Sequence, residues 1–278
     1  MHTLSLGISP CPNDTFIFHA LLSGLVPLPE TIRPLLRDVE ALNKLAIKGE
    51  LDVSKLSLGV LPFVLEEYVL LRSGAALGFG VGPLLVAREP LRVEDCRDLP
   101  VAVPGRLTTA GLLLELHGAF QGARREMVFS EVMPAVAAGA CPCGVIIHEG
   151  RFTYQEKGLY KVLDLGEWWE QEYGMPLPLG VIAARRSLGR ERIAELEAAV
   201  RRSLRCARLE PEACRDFVRG HAQEMDEEVI ARHIATFVTE FSLDLGTDGE
   251  AAVGMLADKA AALAGKGAAP KLFLTDHA

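Results

Sequence analysis

Along almost the whole chain, short apolar runs with the two-residue alternation of strands are separated by segments whose apolar residues recur at helical spacing. A chain that alternates β and α elements can bury both only by laying helices over the faces of sheets, so the pattern predicts an α/β protein. Leu4, Leu6 and Ile8 read as a first strand, and Phe16, Ile17, Ala20 and Leu21 as a first helix stopped by Gly24. Asp38 starts a second helix with Val39, Leu42, Leu45 and Ala46 on one face, and Gly49 ends it. "LDVSKLSLG" then reads as a strand, "VLPFVLEEY" as a short helix, "VLLRSGAAL" as an extended run, and "GVGPLLVAREP" as a buried strand leaving this first group at Pro90.

A second group follows. "LPVAVPG" reads as a strand and turn, "LTTAGLLLELHGAF" as a helix, "EMVFS" as a strand, and "EVMPAVAAGA" as a helix capped by Ser130. "CGVIIHEGR" is a buried strand ending in polar residues, and "LYKVLDLG" is another strand before the helix "EWWEQEYG". "MPLPLGVIAARR" then mirrors "VGPLLVAR", with Pro and Gly beside a buried strand and Arg after it. The two matched segments predict two crossings between lobes, and 278 residues is long for a single core. The expected architecture is a two-lobed, periplasmic-binding-protein-like fold: residues 1–88 and 177–278 form the larger α/β lobe and 89–176 an inserted smaller one. A ligand cleft lies between them and closes by hinge motion. The stretch from Leu188 to Lys266 reads as helical, with Ile193, Leu196, Val200 and Leu204 forming a stripe.

A formal net charge of −8 argues against nucleic acid, whose phosphates demand clustered Lys and Arg. Arg201, Arg202, Arg205 and Arg208 do cluster, along one amphipathic helix whose solvated face they form. The start "MHTLSLGIS" has no basic segment followed by a long apolar one, and no run approaches the ~18 apolar residues of a membrane span. The expectation is therefore a cytoplasmic protein with reduced thiols and no membrane partner. Cys141 and Cys143 form a C-P-C stretch that lacks a second pair or a histidine at metal spacing, so no metal site is expected there.

In open α/β sheets, ligands bind at loops beyond the carboxyl ends of strands, which selects four segments. "SPCPNDTFIF" opens the first of these, and its Pro10 and Pro12 leave the loop few conformations. Asn13 or Asp14 is the expected N-cap of the following helix. "SKLS" ends at Ser57, which is either a ligand contact or simply a small strand-end residue. In "PGRLTTAG" a strand turns into a helix whose first turn carries Thr108 and Thr109; exposed amides and two hydroxyls there suit an anion, while simple Thr capping explains the pattern equally well. "HEGR" places His148 directly after "GVII" at a strand mouth, where a neutral imidazole can serve as a general base or be merely satisfied at the strand end. Glu149 is expected to point the other way.

Together, "SPCPNDTFIF", "KLS", "VAVPGRLTTA", "IIHEGRFTY" and "PLPLGVI" resemble 1,4-dihydroxy-6-naphthoate synthase of the futalosine route to menaquinone, in order and over the whole chain. The resemblance implies a lyase that converts cyclic dehypoxanthinyl futalosine to 1,4-dihydroxy-6-naphthoate and releases dihydroxyacetone, with no cofactor. It also implies that Lys55, Leu56, Ser57, Thr108 and Thr109 contact this small-molecule carboxylate substrate and that His148 is the proton acceptor. The stiff first loop would then hold Asn13, Asp14 or the Cys11 region as a wall of the cleft. Two alternatives are chorismate dehydratase of the same pathway, which shares the fold without the "SPCPND" opening, and a non-catalytic solute-binding protein.

Overall fold

The strand periodicity is realised as two sheets. In the computed structural model, which describes residues 3–223 and 226–274, eleven strands form them. The chain lays down β1 (Thr3–Ile8), β2 (Thr31–Leu36), β3 (Val53–Ser57), β4 (Tyr68–Leu70) and β5 (Ala76–Gly78) in a first sheet. It then builds a second from β6 (Leu84–Ala87), β7 (Val101–Val103), β8 (Arg124–Glu126), β9 (Cys143–Ile146) and β10 (Tyr160–Asp164), and returns to the first as β11 (Leu177–Arg185). The strand orders are β2-β1-β3-β11-β4, with β5 also on β11, and β10-β6-β9-β7-β8. β1 runs parallel to β2 and β3, with Leu6 opposite Val53, while β11 runs antiparallel to β3, with Val181 opposite Leu56.

The helices are α1 (Pro12–Leu22), α2 (Val39–Ile47), α3 (Leu61–Val64), α4 (Thr109–His117), α5 (Phe129–Ala137), α6 (Gly150–Thr153), α7 (Leu165–Tyr173), α8 (Arg190–Leu209), α9 (Pro211–His221), α10 (Glu227–Phe237), α11 (Glu240–Leu243) and α12 (Gly246–Leu263). The predicted stripe Ile193, Leu196, Val200 and Leu204 is buried in one core with Ile17 and Phe18 of α1 and Leu4, Leu6 and Ile8 of β1. Each such side chain stabilises the fold by about 1.5–3 kcal/mol. A second core joins the other face of the first sheet to the second sheet, where Trp169, fully buried, donates Nε1–H to Pro176 O at 3.3 Å. Helix α5 closes the far face of the second sheet through Val132 and Val136.

Several expectations are corrected. The strand in "GVGPLLVAREP" opens the second sheet rather than closing the first: Leu84 stands opposite Ile146, so the chain leaves the first sheet before residue 84 rather than at 89. The matched segments are thus one strand of each sheet, and the chain passes between the sheets just outside them. Those passages touch at Gly82 and Gly166, where a Cβ on Gly82 would lie 2.2 Å from the Gly166 backbone, so only glycine allows the approach. Strand β2 was not among the expected elements; it carries Pro34, whose missing N–H costs no ladder bond at a sheet edge. Helix α5 begins at Phe129 after Val128, so Ser130 lies inside its first turn and does not cap it. The residue capping α1 is Cys11, without a side-chain bond, because the side chains of Asn13 and Asp14 are committed elsewhere.

Candidate active site

Between the sheets lies a cavity of about 650 Å³, its open mouth included. Asn13, Asp14, Lys55, Ser57, Thr108, Thr109 and His148 all line it. Leu56 does not: strand alternation turns Lys55 and Ser57 to one face of β3 and Leu56 to the other, where it is fully buried in the core.

The floor is built from charge. Lys55 and Asp14 are 5% and 0% exposed, and Nζ lies 2.8 Å from Asp14 Oδ1. The same carboxylate accepts from Ser9 N and Oγ at 3.1 and 2.7 Å and from Asn13 Nδ2 at 2.9 Å. Pro12, at the start of α1, and Pro10 stiffen the loop so that these donors converge without further ordering.

The wall opposite comes from α4. Thr108 is its N-cap: Oγ1 accepts from Gly111 N at 3.1 Å and donates to Gly105 O at 2.7 Å. Thr109 Oγ1 accepts from Leu58 N at 2.9 Å and donates to Leu179 O at 2.6 Å, which ties α4 to the first sheet. Both threonine hydroxyls are therefore spent on structure. The donors left for an anion are the amides of Thr109 and Ala110, since Gly111 N and Leu112 N are taken by Thr108 Oγ1 and O, and the hydroxyl of Ser57, whose oxygen accepts from Asn43 Nδ2 at 3.2 Å. Thr108→Val is expected to lower stability by about 0.5–2 kcal/mol through the lost cap. It should also raise KM by loosening those amides; denaturant unfolding and steady-state kinetics check the two effects.

His148 stands at the mouth of β9 with φ of 57°, the sole non-glycine residue with positive φ among those described. Such backbone strain persists where surrounding structure enforces it, and it turns the ring into the cavity. The ring meets Phe129 edge-on at 5.0 Å between centroids.

The family model for menaquinone biosynthesis matches residues 4–262 of this chain. The chain belongs to that family. It is 52% identical over 257 residues to a 1,4-dihydroxy-6-naphtoate synthase of Thermus thermophilus, covering 92% of this chain and 93% of that one. A synthase of the same name from Streptomyces coelicolor is 49% identical over 265 residues, covering 94% and 93%. Among solved structures, an Archaeoglobus fulgidus protein superposes with a TM-score of 0.88 at 32% identity, covering 95% of this chain and 98% of that one. The periplasmic aliphatic sulphonate binding protein of Escherichia coli superposes with a TM-score of 0.68 at 13% identity, over 98% and 91% of the two chains, and shares the fold. This menaquinone-biosynthesis enzyme family thus uses a two-sheet, periplasmic-binding-protein-like frame. No helix among the described residues is long and apolar enough to cross a membrane.

Three further residues stand at this family member's site: Arg151 and Glu149, which the "HEGR" segment contained without a role, and His233, which the sequence reading did not name. Arg151 donates from Nη1 to Gly82 O at 2.6 Å and pairs with Asp164 at 3.1 Å, holding the two inter-sheet passages together at the cavity edge. His233 is fully buried on α10, its Nε2 2.9 Å from Asn13 Oδ1, and its ring lies nearly parallel to that of His148, 6.1 Å away and inclined by 17°. Glu149, expected to point away, instead places Oε2 3.7 Å from His233 Nδ1. A histidine in the apolar stripe Ile230, Ile234 and Phe237 was the available signal for His233. The C-P-C cysteines are buried and free: Cys143 Sγ is 3.5 Å from Cys96 Sγ, and Cys141 Sγ donates to Pro100 O at 3.3 Å.

Burial pushes the His148 imidazole below its ordinary 6.5 despite the opposing pull of Glu149 and Asp14. Burial, then His148 and Lys55, push His233 well below that value. The His148 ring is therefore neutral at pH 7 in the folded protein. Below about 6.5 the unfolded chain takes up protons that the folded chain refuses, so stability present above that pH is lost as pH falls. The thermal midpoint is expected to fall as pH is lowered from about 7 to about 5.5; a flat profile would count against a neutral buried His148.

Proposed function

We propose that this enzyme is a lyase that converts cyclic dehypoxanthinyl futalosine to 1,4-dihydroxy-6-naphthoate with release of dihydroxyacetone, His148 being its proton acceptor. The observation that carries this reading is the His148 ring, held by a left-handed backbone in a cavity that the Lys55–Asp14 pair also lines; burial lowers its pKa and so favours the neutral, proton-accepting form. The substrate carboxylate would sit at the α4 amides and the Ser57 hydroxyl, where the helix dipole favours negative charge. His148 would then withdraw one proton, and the Lys55 ammonium would face negative charge developing on a substrate oxygen. Loss of the three-carbon fragment leaves an aromatic ring, which supplies the driving force.

Relatives named as the synthase at 49–52% identity favour this reading over chorismate dehydratase. The likeness to a sulphonate-binding protein at 13% identity concerns the fold and adds nothing to the solute-binder alternative. Six free cysteines accord with a cytoplasmic enzyme. Incubating purified protein with cyclic dehypoxanthinyl futalosine and following both products by chromatography tests the proposal. Binding without turnover would return the chain to the solute-binding class, and dehydration of chorismate would move it to the sister activity.

A further inference from the structure

The tautomer of His233 follows from its neighbours. Asp14 meets donors only, namely the Lys55 ammonium, Ser9 N and Oγ, and one amide hydrogen of Asn13. The Asn13 amide nitrogen must therefore face Asp14, which turns its Oδ1 toward His233. An oxygen there can only accept, so His233 Nε2 carries the hydrogen of the 2.9 Å contact. In the neutral ring Nδ1 is then bare. It faces Glu149 Oε2 at 3.7 Å, and neither atom has another hydrogen-bond partner although both are buried.

Two bare acceptors opposed in a buried site repel, and each forfeits the hydrogen bond it had in water. One proton between them removes both costs. The gap is only about 1 Å longer than a hydrogen bond. It spans the two halves of the fold, because Glu149 follows β9 of the second sheet while His233 rides on α10, which packs on α1 of the first. The other charged or titratable groups facing this pair are Asp14 and Cys11 at α1, Lys55 on β3 and His148 itself. Arg232 of α10 is turned away over the Phe152 ring.

We propose that Glu149 and His233 hold a single proton between them, and that the bridge it forms positions His148 as the proton acceptor of the cavity. Glu149 is the next residue to His148, so anchoring its side chain to α10 fixes the left-handed turn that aims the His148 ring. Loss of the shared proton releases the anchor and lets the turn relax. Glu149 and His233 are positioning residues here: neither lines the cavity.

The inference rests on His148 being the proton acceptor, so His148→Asn is assayed beside it. Glu149→Ala is expected to lower kcat by about 10- to 100-fold with little change in KM, the scale set by a misplacement of ~1 Å. Glu149→Gln offers an amide hydrogen to His233 Nδ1 that cannot be titrated. It should recover most of that loss and should also lack the decline in kcat that the bridge predicts for the wild-type enzyme when alkaline pH removes the shared proton. If Glu149→Gln is as impaired as Glu149→Ala, or retains the wild-type alkaline decline, the bridge is overturned while an inactive His148→Asn keeps the catalytic reading. Near-normal turnover by His148→Asn would sink that reading first. Nitrogen NMR of histidine-labelled wild-type protein provides a check that needs no variant at Glu149. An Nδ1 of His233 that shows neither a bound proton nor the shift of a hydrogen-bond acceptor from pH 6 to 8 (roughly the range of neutral imidazole) overturns the proposal.

Discussion

His148→Asn is expected to cut turnover by about 10²-fold or more while KM changes little. Asparagine keeps a similar size and one hydrogen-bonding edge, and it tolerates the left-handed backbone that His148 adopts. What it cannot do is take a proton at neutral pH. The anion contacts proposed on α4 and Ser57 do not involve the His148 side chain, so the loss should fall on kcat. In the wild-type enzyme kcat should decline as pH drops through the His148 pKa, which burial places below 6.5, because a ring already protonated accepts nothing further. Asparagine should remove that acid limb. Turnover close to wild type, in a variant shown by circular dichroism to be folded, would free His148 of the catalytic role. Attention would then move to Asp14 and Lys55, which line the same cavity.

Removing Asp14 is expected to produce the largest loss of stability. Asp14→Ala leaves the Lys55 ammonium 5% exposed, without its carboxylate, and frees the Ser9 and Asn13 donors as well. Breaking a buried pair from one side costs about 3–5 kcal/mol, on the order of 10 °C in midpoint for a chain of this size. Adding Lys55→Met to Asp14→Ala removes the stranded charge and should restore part of the loss, giving a coupling that a double-mutant cycle can read. Losses that simply add would mean that the pair contributes no mutual interaction. Both single variants should be inactive, since the pair also forms the cavity floor.

The α/β class was legible because period-2 and period-3.6 patterns are local: they need only the next few residues to be read. Strand β1, helix α2 with its Asp38 cap accepting from Ala41 N at 3.0 Å, and the Ile193 to Leu204 stripe follow from such patterns. Strand β2 was hidden because Pro34 is acceptable only at an edge, and edge position is a property of the assembled sheet. Leu56 entered the candidate site through the "KLS" resemblance; the alternation of β3 removes it, as a reading of the strand's two faces would have.

The sequence by itself determined which loops line the cavity. Polar residues at the ends of apolar strands, helix-start residues after Pro-Gly turns and a histidine after "GVII" are all local features, and six of the seven side chains they and the resemblance nominated for binding, together with His148, line one cavity. Tertiary structure alone decided what each of those side chains does there. Asn13 and Asp14 became partners of His233 and Lys55 instead of caps, across separations of 220 and 41 residues. The threonine hydroxyls became struts, and Glu149 was turned to face a histidine on a different lobe. The reason is that a hydrogen bond depends on distance and direction within a few tenths of an ångström. No periodicity carries that information between segments that meet only when the two sheets pack.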